Sequence, residues 1–326
     1  MSWLRSLAPD RYVLAILGTV ALASVLPVRG VVATDLSLLT KLVIALLFFL
    51  HGAKLSRDAV VAGITHWRLH LVILASTFAL FPLLGLIAVR LPNAVLPTTL
   101  ATGVLFLCCL PSTVQSSIAF TSVARGNVAA AVCAASASNL FGIFLTPVLV
   151  ALTLGVKGAG SPVQEAEAIA LQLLAPFVAG QIARRWISGW MKDHAKLVGL
   201  VDRGSILLVV YGAFSEAVVQ GIWSKVSVVQ LLWLAVICGA LLAIVLALTA
   251  FTSRWLKFDK ADEIAIVFCG SKKSLATGVP MAGILFPPAS VGLIVLPVML
   301  FHQLQLMACA LIAQRYAARP SLAPPS

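Results

Sequence analysis

Two polar stretches, CLPSTVQSS at residues 109–117 and FCGSKKS at residues 268–274, each interrupt a long hydrophobic segment of this chain. Pro111 removes an amide donor and clashes with the preceding helical turn, and Gly270 loosens the backbone of the second segment. Each stretch therefore predicts a break in a helix. Inside a membrane, unwound backbone and charge are tolerated only where they face protein or a water-filled cavity. Two broken segments at corresponding places in two halves are typical of the binding site of a secondary transporter.

The composition predicts an all-α polytopic membrane protein. Of 326 residues, 61% are hydrophobic and 10% are charged, a balance that soluble domains do not show. A net charge of +12 would suggest a nucleic-acid partner in a soluble chain, but here the basic residues lie in loops between apolar segments. We therefore predict no nucleic-acid partner. The chain has no nucleotide-binding loop and no Cys/His metal spacing, so neither a cofactor nor a metal site is predicted.

Apolar runs of about twenty residues predict ten transmembrane helices. They lie near residues 12–28, 36–53, 69–90, 96–121, 127–154, 165–187, 202–223, 226–253, 263–285 and 289–314. If the N-terminus is cytoplasmic, only four of the Lys and Arg residues in the loops lie on the outer side of the membrane: Arg29, Arg90, Lys157 and Lys225. The positive-inside rule favours this orientation. We expect a multi-pass protein of the plasma (inner) membrane with both termini in the cytoplasm.

The spans divide into two halves at a short linker, GAGSP at residues 158–162. Five spans precede the linker and five follow it, and an odd number forces the second half to be inverted relative to the first. Residues 1–157 and 163–316 are therefore predicted to be two inverted repeats, followed by a disordered cytoplasmic tail at 317–326. An offset of 157 residues overlays SIA at 117–119 on SLA at 274–276, and it also overlays the two helix breaks.

Polar side chains follow the first break, where a lipid-facing helix would carry Leu or Val. We predict that they line a cavity for a polar substrate or Na⁺, because hydroxyl and amide oxygens suit both. The alternative is that they cap the broken helix and hydrogen-bond neighbouring helices, as small polar residues commonly do in membranes. The residues are Ser112, Thr113, Gln115, Ser116, Ser117, Ser138 and Asn139.

The second break carries two adjacent lysines, Lys272 and Lys273, deep in a predicted span. A charge at this depth is costly unless it is paired or hydrated. One interpretation pairs a lysine with Glu216, the only acid well inside a predicted span. In the other, Lys272 lines the cavity and holds an anion or exchanges a proton. The remaining predicted substrate-site residues are Ser271, His302 and Gln303.

Several motifs resemble the bile acid:sodium symporter family. They are FLHGAKLSRD at 49–58, TFALFPLLG at 77–85, CLP at 109–111, ARGNV at 124–128, LTP at 145–147 and FHQ at 301–303. The resemblance covers essentially the whole chain. It implies ten helices in two inverted five-helix repeats, with the fourth and ninth spans crossing at unwound centres. It also implies a core domain, made of spans three to five and eight to ten, that moves against a panel domain.

The departures from this family concern its two Na⁺ sites. The family's sodium-site positions fall here on Thr77, Ser117, Ile118, Ala131, Ala135, Phe268 and Lys272. Phe268 replaces the anionic side chain, and GSKKSLA at 270–276 is similar to the branch typified by the seventh member of solute carrier family ten. We therefore expect Lys272 to act as a built-in cation, with Lys273 less favoured because the helix would already have resumed. Thr77 and Glu216 are the other candidate coupling residues.

The predicted function is secondary transport of a small organic anion by alternating access. Its expected partners are that anion, a proton or Na⁺, and the lipid bilayer. With Phe268 and Lys272 at the sodium sites, we expect proton-driven transport or facilitated diffusion rather than Na⁺ coupling. The alternative function is a non-transporting membrane regulator or sensor with the same fold. No base is paired with a serine within one repeat, so an enzyme is not predicted.

Overall fold

A computed structural model describes residues 11–54, 66–154, 162–219, 221 and 226–319, and in these ranges the chain is helical, without β-strands. The helices are α1 (Arg11–Val25), α2 (Val31–Lys54), α3 (Trp67–Ala88), α4 (Thr98–Cys109), α5 (Gln115–Val123), α6 (Val128–Leu154), α7 (Pro162–Asp193), α8 (Ala195–Val219), α9 (Val228–Trp255), α10 (Lys260–Gly270), α11 (Leu275–Leu285) and α12 (Pro288–Ala317). Residues 158–161 of the predicted linker and 320–326 of the predicted tail lie outside the described residues.

Six of these helices, α2, α3, α6, α8, α9 and α12, are long and apolar enough to cross a membrane. The helices beside the two breaks are shorter: α4 and α5 flank the first break, and α10 and α11 flank the second. None of these four reaches the roughly 20 residues that a single spanning helix needs. The ten-span arrangement therefore stays a prediction in which each broken pair makes one crossing.

A π-helical turn at Ser76–Leu80 interrupts α3, and the sequence analysis contained no break in this span. In the turn, the Phe81 N–H donates to the carbonyl oxygen of Ser76. The next residue, Pro82, has no N–H, so it cannot donate to Thr77. The carbonyl oxygen of Thr77 is thereby released from the backbone ladder of α3.

One group of helices consists of α1, α2, α7 and α8, with α2 lying along α7 and α1 along α8. Glycines allow α2 and α7 to approach each other closely. A Cβ atom added to Gly52 would clash with the carbonyl oxygen of Phe177, and one added to Gly180 would clash with that of Phe49. The two backbones can touch only because both positions lack a side chain.

The second group consists of α3–α6 and α9–α12, and it contains both breaks. Here α12 lies along α4, and α9 along α10. A Cβ atom at Gly103 of α4 would be 2.8 Å from the carbonyl oxygen of Ile294 on α12. From Asp262 to Gly270, α10 is buried along its whole circumference. The broken helices therefore lie in the interior of this group.

Ionic and polar contacts hold the start of α10. The side chain of Asp259 caps the helix. The carboxylate of Glu263 accepts hydrogen bonds from Lys260 at 2.7 Å, from Arg254 at 3.1 Å and from the Tyr316 hydroxyl at 2.9 Å. These contacts tie the start of α10 to α9 and α12.

The contact between α2 and α7 yields a stability prediction. Gly180→Ala should lower the free energy of unfolding by about 1–3 kcal/mol, because the added methyl group forces two helix backbones apart. Gly189→Ala on the same helix is the matched control, since a Cβ there meets nothing within 4 Å. Thermal unfolding in detergent measures both variants. Equal melting temperatures for the two would contradict the tight contact.

Candidate functional site

The two helix breaks lie against each other in the interior of the protein. The Ser112 hydroxyl in the first break donates a hydrogen bond to the carbonyl oxygen of Cys269 at 2.6 Å. In return, the amide of Ser274 in the second break donates to the carbonyl oxygen of Pro111 at 2.9 Å. Each break therefore satisfies backbone oxygens of the other.

Serine hydroxyls satisfy the other carbonyl oxygens at the end of α10. The bonds run from Ser117 to Phe268 at 3.1 Å, from Ser76 to Gly270 at 2.9 Å and from Ser271 to Val267 at 2.6 Å. Ser112, Ser117 and Ser271 are fully buried, and none lines the cavity described below. These three serines bond to backbone carbonyl oxygens of α10, and their contact with substrate stays a prediction.

Asn139 on α6 connects both breaks. Its side-chain Nδ2 donates to the carbonyl oxygen of Ser112 at 2.8 Å, and its Oδ1 accepts from the Thr277 hydroxyl at 2.9 Å. The neighbouring Ser138 hydroxyl accepts from the Ser112 N–H at 3.0 Å. Ser138 is fully buried, whereas Asn139 also lines the cavity. A change at Asn139 would therefore affect both the cavity wall and the contact between the breaks.

The helices that resume after the breaks begin differently. Ser274 caps α11, since its hydroxyl accepts from the Thr277 N–H at 3.2 Å. No side chain caps α5, and its first turn, which includes Ser116, lines the cavity. α5 begins at Gln115 and α11 at Leu275, three residues after Ser112 and four residues after Ser271. Only α5 presents an uncapped start.

Lys272 is fully buried and does not line the cavity. Its Nζ donates to the carbonyl oxygen of Ser116 at 2.8 Å. The same atom lies 4.0 Å from the ring centroid of Phe120 and 5.4 Å from that of Phe268. The expectation that Lys272 lines the cavity is wrong, because Ser116 and Phe120, which do line it, separate the ammonium group from it.

Lys273 makes a fuller set of contacts. Its Nζ donates to the carbonyl oxygens of Thr77 at 2.8 Å, Cys108 at 2.8 Å and Leu110 at 2.6 Å. The helix resumes only at Leu275, so the reason for ranking this lysine second does not hold. Within the break, the lysine side chain is free to turn toward the end of α4.

The other candidate coupling residues, Thr77 and Glu216, do not line the cavity. The Thr77 hydroxyl donates to the carbonyl oxygen of Ile73 in the same helix at 2.8 Å. Thr77 contacts Lys273 only through its own carbonyl oxygen. Glu216 on α8 is half-buried and does not line the cavity. Because all three Lys273 donors end on carbonyl oxygens, this lysine does not form the alternative pair with Glu216.

Gln305 is a buried residue that the sequence analysis missed. Its Oε1 accepts from the Lys273 N–H, and its Nε2 donates to the Lys273 carbonyl oxygen, both at 2.9 Å. Its Nε2 also lies 2.9 Å from Nδ1 of His302. The available signal was its position three residues after His302, on the same face of an apolar helix.

A cavity of about 1430 Å³ adjoins the breaks. The predicted site residues that line it are Thr113, Gln115, Ser116, Asn139, His302 and Gln303. The buried Oε1 atom of Gln303 has no hydrogen-bond partner within the described ranges. This part of the wall is therefore polar.

Away from the breaks, the cavity wall is apolar and then basic. Large apolar side chains follow the polar wall: Phe48, Leu140, Ile143, Phe177 and Ile206. Four basic residues, here named the basic mouth, form the more exposed part: Arg184, Lys192, Lys196 and Arg203. Among the described residues, no Asp or Glu lines the cavity. The lining therefore favours a ligand with an apolar body and negative charge.

Comparisons with known proteins give a consistent result. The model of the SBF-like CPA transporter family matches residues 10–318. The chain is 57% identical over 312 residues to the protein PA2026 of Pseudomonas aeruginosa, covering 95% of this chain and 94% of that protein. It is 55% identical over 307 residues to YfeH of Escherichia coli, whose name proposes a symporter, covering 94% and 92%. It is 30% identical over 271 residues to the sodium/bile acid cotransporter 7 of Rattus norvegicus, covering 81% and 78%.

The contact between the breaks can be tested by stability. Ser112→Ala removes the donor to a buried carbonyl oxygen, which should cost about 1–3 kcal/mol. Ser122→Ala on α5, where the serine is exposed, should have little effect. Thermal unfolding of the two purified variants provides the comparison. A Ser112→Ala protein as stable as the control would show that this bond does not hold the breaks together.

Proposed function

The chain belongs to the SBF-like CPA transporter family, which confirms the resemblance found in the sequence, and from this we propose that it carries an amphipathic organic anion across the membrane without Na⁺. The relatives whose names state a function are a proposed symporter and a cotransporter, not enzymes. The observation that carries the proposal is the cavity, with its polar wall, apolar wall and basic mouth. The name of the rat relative refers to bile acids, which are anions of this kind.

The cavity suits an anion for two physical reasons. Clustered positive charges, in a cavity lining with no Asp or Glu among its described residues, raise the local concentration of anions and speed their capture. The apolar wall then favours burial of a hydrophobic body, at roughly 25 cal/mol per Å² of apolar surface removed from water. A small inorganic anion would gain nothing from the second effect. The cavity volume of about 1430 Å³ also exceeds what such an ion needs.

The inverted repeats belong to this proposal, and an internal symmetry of the hydrogen bonds supports them. Under the offset of 157 residues, Pro111 corresponds to Phe268 and Ser117 to Ser274. Ser274 donates to Pro111, and Ser117 donates to Phe268. The two residue pairs thus exchange with each other, as expected if a two-fold axis relates the breaks, although Ser274 donates through its backbone N–H and Ser117 through its hydroxyl group. The Ser112–Cys269 bond joins residues 157 apart, which suits a pair on that axis.

The two helix groups support a division into panel and core. We assign α1, α2, α7 and α8 to the panel and the remaining helices to the core, the division implied by the family resemblance. The basic mouth belongs to loops and helix ends that the positive-inside rule assigns to the cytoplasm. In this assignment the protein lies in the inner membrane with cytoplasmic termini, and the cavity opens toward the cytoplasm.

Three features argue against a Na⁺ ion at the second break. Phe268 replaces the family's carboxylate and is buried beside Phe120 and Tyr316. A Na⁺ ion about 4 Å from the Lys272 ammonium would meet a repulsion of roughly 4 kcal/mol at an effective dielectric constant of about 20. Serine hydroxyls also occupy the carbonyl oxygens that a Na⁺ ion would need. Protons or the gradient of the anion itself are then left as the driving force.

Transport can be tested directly. The purified protein is first screened by thermal unfolding against amphipathic organic anions, a bile acid among them. The anion that stabilises it most is then used for uptake into proteoliposomes. We expect uptake that is unchanged when choline replaces Na⁺, because no Na⁺ site is formed. Ser116→Ala and Gln303→Met should reduce uptake, while Ser122→Ala should not.

Two results would contradict the proposal. Stabilisation by such anions without any uptake would favour the regulator or sensor as the function. Uptake that stops when choline replaces Na⁺ would leave an anion transporter but reject its independence from Na⁺.

The basic mouth provides a second, more specific prediction. Arg184→Gln should raise KM for the transported anion several-fold and leave kcat nearly unchanged, because the mouth acts on capture. The matched control is Arg185→Gln, whose side chain stacks on Trp186 with a 3.7 Å distance to the ring and does not line the cavity. The difference between the variants should shrink at high salt. Equal KM values at low salt would reject a role for the mouth.

A further inference from the structure

The Lys273 ammonium is enclosed by neutral oxygen atoms. We name the carbonyl oxygens of Thr77, Cys108 and Leu110 the carbonyl cage, and each lies 2.6–2.8 Å from Nζ. The lysine is fully buried, and the ring centroid of Phe81 is 4.2 Å from Nζ. An ammonium group has three donors, so its hydrogen-bonding capacity is complete without a carboxylate.

The three oxygens of the cage are available because the backbone has released them. Pro82 has no N–H with which to engage Thr77 in the π-turn. The N–H of Ser112, which would bond to Cys108 in a continuous helix, donates to Ser138 instead. The third oxygen belongs to the residue that follows the end of α4. All three therefore carry unsatisfied negative partial charge, increased by the negative end of the α4 dipole.

The backbone of the lysine is held as firmly as its ammonium group. The Gln305 side chain pairs with both the N–H and the carbonyl oxygen of Lys273. Gln305 is itself fully buried. Lys273 is thus held at its backbone by Gln305 and at its ammonium group by the cage.

We propose that Lys273 is a tethered replacement for a monovalent cation, and that the carbonyl cage is a latent cation site. Rings of backbone carbonyl oxygens are what membrane proteins use to hold alkali cations in place of water. The cage consists of such oxygens, and the single positive charge that it holds is that of the Lys273 ammonium group. Removal of the side chain leaves the oxygens buried without donors, a state that a Na⁺, K⁺ or small alkylammonium ion would relieve.

Lys272 shows by contrast what is specific to this position. Its ammonium group bonds to one carbonyl oxygen, that of Ser116, and otherwise contacts two aromatic rings. A space left by Lys272 would therefore offer an alkali cation one ligand instead of three. The sodium positions implied by the family resemblance include Thr77, whose carbonyl oxygen belongs to the cage, but not Cys108 or Leu110. The cage therefore shares one residue with those positions and takes its other two oxygens from the end of α4.

The inference deepens the proposed independence from Na⁺, but its test uses no organic anion. Wild type, Lys273→Ala and Lys273→Met are purified in buffers containing choline, Na⁺, K⁺ or methylammonium chloride at one ionic strength. Thermal unfolding is then measured over a range of cation concentrations. Lys273→Ala should melt lower than wild type in choline and recover by several degrees, saturably, in at least one of the other cations. The wild-type Tm should be the same in all four salts.

Two variants serve as controls. Lys273→Met fills the cage with an uncharged side chain of similar length, so it should be destabilised and insensitive to the cation. Lys272→Ala should lose stability without recovery by an alkali ion. The proposal would be overturned if the Lys273→Ala and Lys273→Met proteins showed the same dependence of Tm on cation concentration. It would also be overturned if Lys273→Met could be purified as a folded protein in these salts but Lys273→Ala could not. A Na⁺-specific rise in the wild-type Tm would also overturn it. None of these results bears on uptake of the organic anion.

Discussion

The carbonyl oxygens released by the two helix breaks must find donors inside the protein, and the arrangement of the core follows from this constraint. In a membrane, an unsatisfied backbone group costs several kcal/mol, and no lipid can supply the missing bond. A single broken helix cannot solve this problem alone, because its own amides are also displaced. Two breaks placed against each other can do so, since Ser112 serves the end of α10 while Ser274 and Lys273 serve the end of α4.

The two helix ends are satisfied by different chemistry. Neutral hydroxyls bond to the end of α10, whereas a positive ammonium group bonds to the end of α4. The positive charge of Lys273 therefore belongs to the structure of the crossing and is not free to follow the substrate. Because bonds from both halves run across the breaks, separating them would expose several carbonyl oxygens at once. In the proposed mechanism, movement of the whole core against the panel would preserve these bonds, and the close approach of α2 and α7 at Gly52 and Gly180 lies within the proposed panel.

Much of this architecture could be predicted from composition and local chemistry, but side-chain directions at the breaks could not. Pro111 and Gly270 identified the breaks, because their backbone effects are local. Ser116 and His302 were predicted to line the cavity because they are polar residues in apolar spans, and both line it. The ranking of Lys272 over Lys273 assumed that the helix had resumed at residue 273, where the backbone is not helical. Gln305 was missed although its position three residues after His302 on an apolar helix was visible in the sequence. The π-turn of α3 was not predicted either, because a proline such as Pro82 in an apolar run is common in membrane helices and does not by itself indicate a π-turn.

The contrast between the lysines also explains how a buried charge can serve an anion that it does not touch. Lys272 bonds to the carbonyl oxygen of Ser116 in the first turn of α5, and that turn is uncapped and lines the cavity. The helix dipole already makes this start positive, and an ammonium group directly behind it adds to the same potential in a medium that screens little. Because Ser116 and Phe120 separate it from the cavity, Lys272 would act on the proposed anion through its electric field and not through a tight ion pair. An anion held in this way would leave again, as the proposed transport cycle requires.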